Sequence, residues 1–148
     1  MIIFKRFLNW FKMNRKLSEI SLKRLDECEI SLIELFVDAI NKTPYRFEIT
    51  CGYRSPNEQA KLYAKGRTAP GNIVTYIDGK KKKGKHNYNP SKAVDIVVYD
   101  ENNKVTWDEK YYIKIGESIK DIANDLGINI IWGGDWLTFK DYPHFELI

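Results

Sequence analysis

Three residues carry side chains that could bind a catalytic metal ion. The chain has 148 residues but only two histidines, His86 and His144. Asp95 lies within the apolar segment AVDIVVY, where a carboxylate is costly unless it is paired, hydrogen-bonded or bound to a metal. Two imidazoles and one carboxylate form a common catalytic zinc site that leaves a fourth position for water. The alternative is structural, with histidines that only pack and an aspartate that pairs with Arg or Lys.

Asp141 lies three residues before His144 and could take part in such a site without binding the metal. A carboxylate beside a ligand can accept the proton of the attacking water as a general base. The alternative is an aspartate that only forms the turn ahead of Tyr142 and Pro143.

The two cysteines, Cys28 and Cys51, are too few for a disulfide scaffold or a cysteine-rich zinc site. Free cysteine behaves as a small buried hydrophobe, so we expect both side chains in or near the core. A single disulfide between them remains open at this stage.

The elements that must position these residues are helices and strands in irregular order, which favours an α+β fold. The stripe formed by Leu32, Ile33, Phe36, Val37 and Ile40 predicts a helix over 30–41. A second helix begins at Ser55 and Pro56 and runs to Gly66, and a third spans 108–126. Strands are predicted over 47–51, 93–99, 128–132 and 144–147, and a basic, Gly-containing loop over 68–85.

Positive charge is concentrated in two places. The net charge is +4, but residues 1–16 hold five basic residues and no acid, and Lys80–Lys83 with Lys85 add five more. The remainder therefore has 14 basic and 20 acidic residues, a net charge of −6. This distribution excludes a uniformly basic surface, so no nucleic-acid partner is predicted. No apolar run approaches the roughly 18 residues that a membrane-spanning helix needs.

The N-terminal segment differs from the rest of the chain. We predict a basic amphipathic extension over residues 1–16 and one domain over residues 17–148. The apolar residues of 1–12 fall on one helical face, a pattern typical of weak contact with an anionic membrane surface. Equally, translation could begin at Met13. Charges interrupt the apolar stretches, so this segment is a poor secretory signal.

Five segments occur in an order that resembles a known family. They are CGYRS (51–55) with Glu58 and Gln59, LYAKGRT (62–68) with Pro70 and Gly71, HNY (86–88) leading to AVD (93–95), WGGDW (132–136) and DYPHF (141–145). Together they resemble the zinc peptidases of the D-alanyl-D-alanine carboxypeptidase and L-alanyl-D-glutamate endopeptidase family, most closely the single-domain phage endolysins. The resemblance covers residues 17–148.

The resemblance implies a role for each matching residue. His86, Asp95 and His144 match the zinc ligands. Asp141 matches the catalytic base, and Arg54 matches the arginine that faces the scissile carbonyl, where a guanidinium would stabilise an oxyanion. Gln59 and Trp136 match positions that line the substrate site. The implied fold is the small α+β hedgehog/DD-peptidase fold, an antiparallel sheet with flanking helices.

The implied function is that of a Zn²⁺ metallopeptidase that hydrolyses the peptidoglycan stem peptide, with cleavage expected between L-alanine and D-glutamate. Two alternatives remain: a D-alanyl-D-alanine carboxypeptidase, and a non-catalytic cell-wall-binding module of the same fold. We expect a monomer that acts on the bacterial cell wall. If the protein is phage-encoded, we expect it to stay in the cytoplasm until a holin-like route releases it.

Two features depart from the family pattern. Gly84 stands where the family usually has a serine, and the connection Asn87–Lys92 is about two residues longer than usual. We therefore expect the loop geometry near the substrate to differ. The basic loop Lys80–Lys85 could help to dock net anionic peptidoglycan, or it could simply be solvated.

Overall fold

The computed structural model describes residues 15–148, so nearly all of the predicted extension over 1–16, including the predicted membrane contact of 1–12, lies outside the described residues. Within residues 15–148 there are four α-helices and five strands, and this mixture confirms the α+β prediction. The helices are α1 (Glu19–Asp26), α2 (Ile30–Lys42), α3 (Pro56–Ala64) and α4 (Glu109–Asp125). The strands are β1 (Phe47–Cys51), β2 (Ala93–Tyr99), β3 (Val105–Thr106), β4 (Ile130–Trp132) and β5 (His144–Leu147).

The strands form one antiparallel sheet in the order β1–β2–β5–β4, and β3 pairs with the far end of β2. Side chains alternate between the two faces of a strand. In β2, Val94, Ile96 and Val98 are fully buried, whereas Asp95 is only half-buried and lies on the opposite face. The carboxylate within an apolar strand is therefore tolerated because it points away from the hydrophobic core.

The core lies between the sheet and helices α2 and α4. The Phe36 ring of α2 packs edge to face against Phe47 of β1 and Phe145 of β5, with ring centroids 5.9 and 5.6 Å apart. All three rings are fully buried. Burial of each such side chain contributes about 1.5–3 kcal/mol to stability. These contacts therefore fix β1 and β5 against helix α2.

The structure corrects part of the apolar stripe predicted for α2. Val37 is 46% exposed, whereas Leu35 and Ala39 are buried. The helix packs against both the sheet and α4, so its buried face must be centred on Leu32, Leu35 and Phe36. This orientation turns Val37 toward solvent.

Several element boundaries differ from the sequence predictions. Helix α3 ends at Ala64 rather than Gly66, and β4 begins at Ile130 rather than residue 128. Helix α1 was not predicted, because it has only eight residues and buries only Ser21 and Leu25. It is held by tertiary contacts, since the carboxylate of Glu48 in β1 accepts a hydrogen bond from Ser18 Oγ at 2.9 Å and another from Ser21 Oγ.

The thiols of Cys28 and Cys51 are both free, so the disulfide left open by the sequence is not formed. Cys28 is buried as expected, but Cys51 is only half-buried and is paired with Asp95 of the neighbouring strand. In the described part of the chain, no helix combines the length and apolarity needed to cross a bilayer.

Candidate active site

Strand pairing places three polar side chains in one row. Cys51 of β1 is paired with Asp95 of β2, and Asp95 is paired with His144 of β5. Directly paired residues of antiparallel strands project from the same face with neighbouring side chains. His144 Nδ1 accordingly lies 2.9 Å from Asp95 Oδ1, although the two residues are 49 positions apart.

His86 reaches the same carboxylate from the short 3₁₀ turn Lys85–Asn87. Its Nε2 lies 3.1 Å from Asp95 Oδ1, the oxygen that His144 also contacts. Its Nδ1 lies 2.7 Å from the carbonyl oxygen of Gly52. A carbonyl can only accept a hydrogen bond, so Nδ1 carries a proton, and Nε2 is the nitrogen that faces Asp95.

The longer connection Asn87–Lys92 is anchored near both ends. The Asn87 side-chain amide donates to the Arg54 carbonyl at 3.0 Å, and Ser91 Oγ donates to the Gly52 carbonyl at 3.0 Å. Both anchoring side chains are buried. The extra residues of this connection therefore lie between two hydrogen-bonded side chains. They do not separate His86 from Asp95, which remain in contact.

The donor atoms fit a divalent metal ion. Buried His86 Nε2 has no partner with hydrogen-bond geometry among residues 15–148, although Asp95 is close. His144 Nε2 lies 2.8 Å from Glu146 Oε2, which leaves Nδ1 facing Asp95. Each ring thus has one nitrogen held by an oxygen and directs the other at Asp95. This arrangement is typical of zinc-binding histidines.

The two imidazoles converge on Asp95 without closing into a single tight group. Their ring centroids are 5.1 Å apart and the rings meet edge to face. Two sets of donor atoms lie entirely within 4.8 Å of one another: Cys51, His86 and Asp95, and Asp95, Asp141 and His144. Asp95 belongs to both sets, so it is the centre of the cluster.

The charges of this cluster are strongly coupled. Burial disfavours a charged His86, but the neighbouring Asp95 and Cys51 outweigh burial and raise the pKa of His86 to about 10. Burial likewise opposes protonation of His144, yet Asp95 and Glu146 raise its pKa to about 9. Burial also disfavours an ionised Asp95, but both imidazoles overcome this and lower its pKa. At neutral pH both histidines are therefore protonated in the metal-free protein.

Asp141 reaches the cluster from the loop that precedes β5. Its N–H donates to the Gly133 carbonyl at 3.0 Å, and its own carbonyl lies so close to Gly133 that a side chain at Gly133 would not fit. The residue as a whole is exposed, but partial burial of its carboxylate and the negative charge of Asp95 raise the pKa of Asp141. Asp141 is therefore a stronger base than an ordinary aspartate.

Arg54 lies on the other side of Asp95. Its Nη2 is 3.6 Å from Asp95 Oδ2, and its Nη1 donates to Gln59 Oε1 at 3.1 Å. Gln59 is buried, and its amide also donates to the Ile77 carbonyl at 2.9 Å. Gln59 therefore fixes the position of Arg54 and links it to the loop that contains Ile77. The ring centroids of Trp136 and His144 are 5.2 Å apart.

Glu146 and Cys51 belong to this cluster but are not among the site residues taken from the sequence. Glu146 lies two positions after His144 in β5, so strand alternation places both on one face, and this signal is available in the sequence. Cys51 lies 3.7 Å from His86 Nδ1 and accepts a hydrogen bond from Arg54 Nη2 at 3.5 Å. Only the pairing of β1 with β2 brings it there.

Comparisons with known proteins agree on one family. Residues 13–148 match the family model described as phage L-alanyl-D-glutamate peptidase. The chain is 43% identical over 105 residues to the peptidoglycan L-alanyl-D-glutamate endopeptidase CwlK of Bacillus subtilis, a match that covers 68% of this chain but only 59% of CwlK. It is 25% identical over 136 residues to the L-alanyl-D-glutamate peptidase of Escherichia phage T5, covering 91% of this chain and 90% of that protein.

A solved structure supports the same assignment. The crystal structure of the Serratia marcescens L-Ala D-Glu endopeptidase ChiX matches with a TM-score of 0.72 and 25% identity, covering 91% of this chain and 92% of ChiX. From the family match over residues 13–148, we conclude that this chain belongs to the phage L-alanyl-D-glutamate peptidase family.

Proposed function

We propose that the protein is a peptidoglycan hydrolase that cleaves the stem peptide between L-alanine and D-glutamate. The observation that carries this proposal is the convergence of His86 and His144 on one Asp95 oxygen, with Asp141 beside them. The choice of bond is supported by the names of the relatives, which are L-alanyl-D-glutamate peptidases from a bacterium and a phage.

His86 Nε2, Asp95 and His144 Nδ1 would hold Zn²⁺. Zinc bound there supplies a Lewis acid that polarises the attacking water and the scissile carbonyl. Glu146 keeps the proton of His144 on Nε2, and the Gly52 carbonyl keeps that of His86 on Nδ1. Both contacts direct the correct nitrogen at the metal position.

Asp141 would act as the general base. It accepts a proton from water as the water oxygen bonds to the scissile carbon, and it then delivers that proton to the leaving nitrogen as the carbon–nitrogen bond breaks. Arg54, held by Gln59, donates hydrogen bonds to the carbonyl oxygen while negative charge develops there. The catalytic residues would all belong to a domain spanning residues 17–148.

Mass spectrometry of digested peptidoglycan tests the proposed bond. We expect free stem peptides that begin at D-glutamate, with L-alanine left on the glycan. Release of single D-alanine would instead identify a D-alanyl-D-alanine carboxypeptidase. No new product from a zinc-loaded sample, across several wall types, would identify a non-catalytic wall-binding module.

The proposal places the protein at the bacterial cell wall, with the peptidoglycan stem peptide as its partner. We propose that it acts as a monomer. The loop Lys80–Lys83 is exposed and would meet anionic peptidoglycan. Asp78 shapes this loop, since one of its carboxylate oxygens accepts hydrogen bonds from the backbone N–H groups of Lys80, Lys81 and Lys82 at 2.9–3.0 Å.

Glu146→Gln should weaken zinc binding by about 10–100-fold, because the amide is a poorer acceptor for the His144 Nε2 proton. Competition with a chromogenic chelator measures this affinity. Glu117→Gln, which changes an exposed carboxylate on α4, is the matched control and should leave the affinity unchanged. Equal affinities for wild type and Glu146→Gln would show that Glu146 does not orient His144.

A further inference from the structure

A cavity of about 200 Å³ opens directly beside Asp141. One wall is aromatic, with the rings of Trp107 and Tyr112 stacked at 6.2 Å and an interplanar angle of 12°. The other wall includes Lys140, Asp141 and Pro143. The Trp107 side chain is 70% exposed, so the cavity is open to a ligand from solvent. Asp141 thus belongs both to the metal-binding cluster and to the wall of this cavity.

The proposed reaction determines which part of the substrate lies beside Asp141. Asp141 delivers a proton to the leaving nitrogen, so the residue that carries this nitrogen must lie against it. When D-glutamate is linked onward through its side-chain carboxyl, its α-carboxyl group is free. That group is bonded to the same carbon as the leaving nitrogen, which places its oxygens only about 3–4 Å from the nitrogen. A cation for this carboxylate must therefore lie next to Asp141.

Lys140 is the cation in that position. It immediately precedes Asp141 and lines the same cavity. Its Nζ donates to the Gly134 carbonyl at 3.0 Å, which uses one of the three donors of the ammonium group. Arg54, the other cation at the site, is engaged by Asp95, Gln59 and Cys51.

The residues that line the cavity include one cation, Lys140, and two acidic residues, Asp141 and Glu109. Glu109 also lines the cavity, and its carboxylate accepts a hydrogen bond from the Tyr142 hydroxyl at 3.4 Å. We propose that Lys140 binds the free α-carboxylate of the leaving D-glutamate and thereby sets a preference for stem peptides in which this group is not amidated. This inference rests on the proposed function and adds a specificity residue to it.

Two synthetic stem peptides that differ only in an α-carboxylate or an α-carboxamide on the D-glutamate test this role. Wild type should favour the carboxylate by about 10–100-fold in kcat/KM, the range expected for a hydrogen bond to a charged group. Lys140→Gln should bring the ratio close to one by slowing cleavage of the carboxylate peptide alone. Lys140→Glu should favour the carboxamide, Lys140→Arg should keep most of the wild-type ratio, and Lys104→Gln, on an exposed loop, should leave it unchanged.

The outcomes separate this inference from the proposed function. If wild type cleaves neither peptide, both the function and the role of Lys140 are overturned. If wild type cleaves both peptides and Lys140→Gln keeps the wild-type ratio, the function stands and the inference is wrong. A wild-type ratio near one also overturns the inference.

Discussion

His86→Ala and His144→Ala are each expected to empty the metal site and abolish peptide hydrolysis. Each variant removes one of only three proposed ligands, and catalytic zinc sites with three protein ligands tolerate such a loss poorly. Purified wild type should contain about one zinc ion per chain. Metal analysis of the purified variants measures the loss, and Asp95→Ala should behave in the same way because Asp95 contacts both histidines.

Cys51→Ser is the matched control for these variants. The Cys51 thiol lies 3.7 Å from His86 Nδ1, which is held by the Gly52 carbonyl and is not the proposed ligand atom. We therefore expect Cys51→Ser to keep its zinc. Full zinc occupancy in His86→Ala would exclude His86 as a ligand, and loss of zinc in Cys51→Ser would assign the Cys51 thiol to the metal.

The same site should bind zinc more weakly as the pH falls. In the metal-free protein the pKa of His86 is raised to about 10 and that of His144 to about 9, so both rings are protonated at pH 7. Zinc must displace the proton on His86 Nε2 and that on His144 Nδ1, and binding should release roughly two protons per ion. Calorimetry in two buffers of different ionisation enthalpy measures this number. Zinc binding without proton release would show that the two rings are not protonated in the metal-free protein at that pH.

Asp141→Asn is expected to retain zinc and fold but to lower kcat by about 10²–10⁴-fold, the usual contribution of a general base. The amide cannot accept the proton of water. Single-turnover kinetics on the carboxylate stem peptide, with zinc content measured on the same sample, provide the test. Asp135→Asn, a change in the same loop that removes only an exposed ion pair with Lys120, should cost little activity.

Zinc content distinguishes a base from a ligand at this position. One oxygen of Asp141 lies within 4.8 Å of donor atoms of Asp95 and His144, so the carboxylate is close enough to become a ligand after a small movement. Loss of zinc from Asp141→Asn at neutral pH would therefore assign Asp141 to the metal. Retention of zinc together with wild-type kcat would exclude both roles.

Local sequence signals were sufficient for the strands that carry the proposed metal ligands Asp95 and His144. The apolar β-branched run of β2 and the segment HFEL of β5 were predicted with the bounds that the structure shows. The Ser55 cap was also predictable, because a serine followed by a proline starts α3, and Ser55 Oγ accepts a hydrogen bond from the Glu58 N–H at 3.1 Å. Helix α1 could not be predicted from local sequence, because the contacts that hold it come from Glu48, almost 30 residues away along the chain.

The residue types available for the chemistry are evident from the amino-acid sequence. His86 and His144 stand out because the chain has only two histidines. Asp95 stands out because a carboxylate in an apolar strand is energetically costly unless it has a partner. How these residues meet depends on the folded chain, because the antiparallel register places Cys51, Asp95 and His144 in one row. The register of β1 and β2 also brings the Cys51 thiol close to His86. The fold of the loop before β5 places Lys140 at the cavity beside Asp141. Such juxtapositions depend on contacts between distant segments, and the local periodicity of a chain carries no information about those contacts.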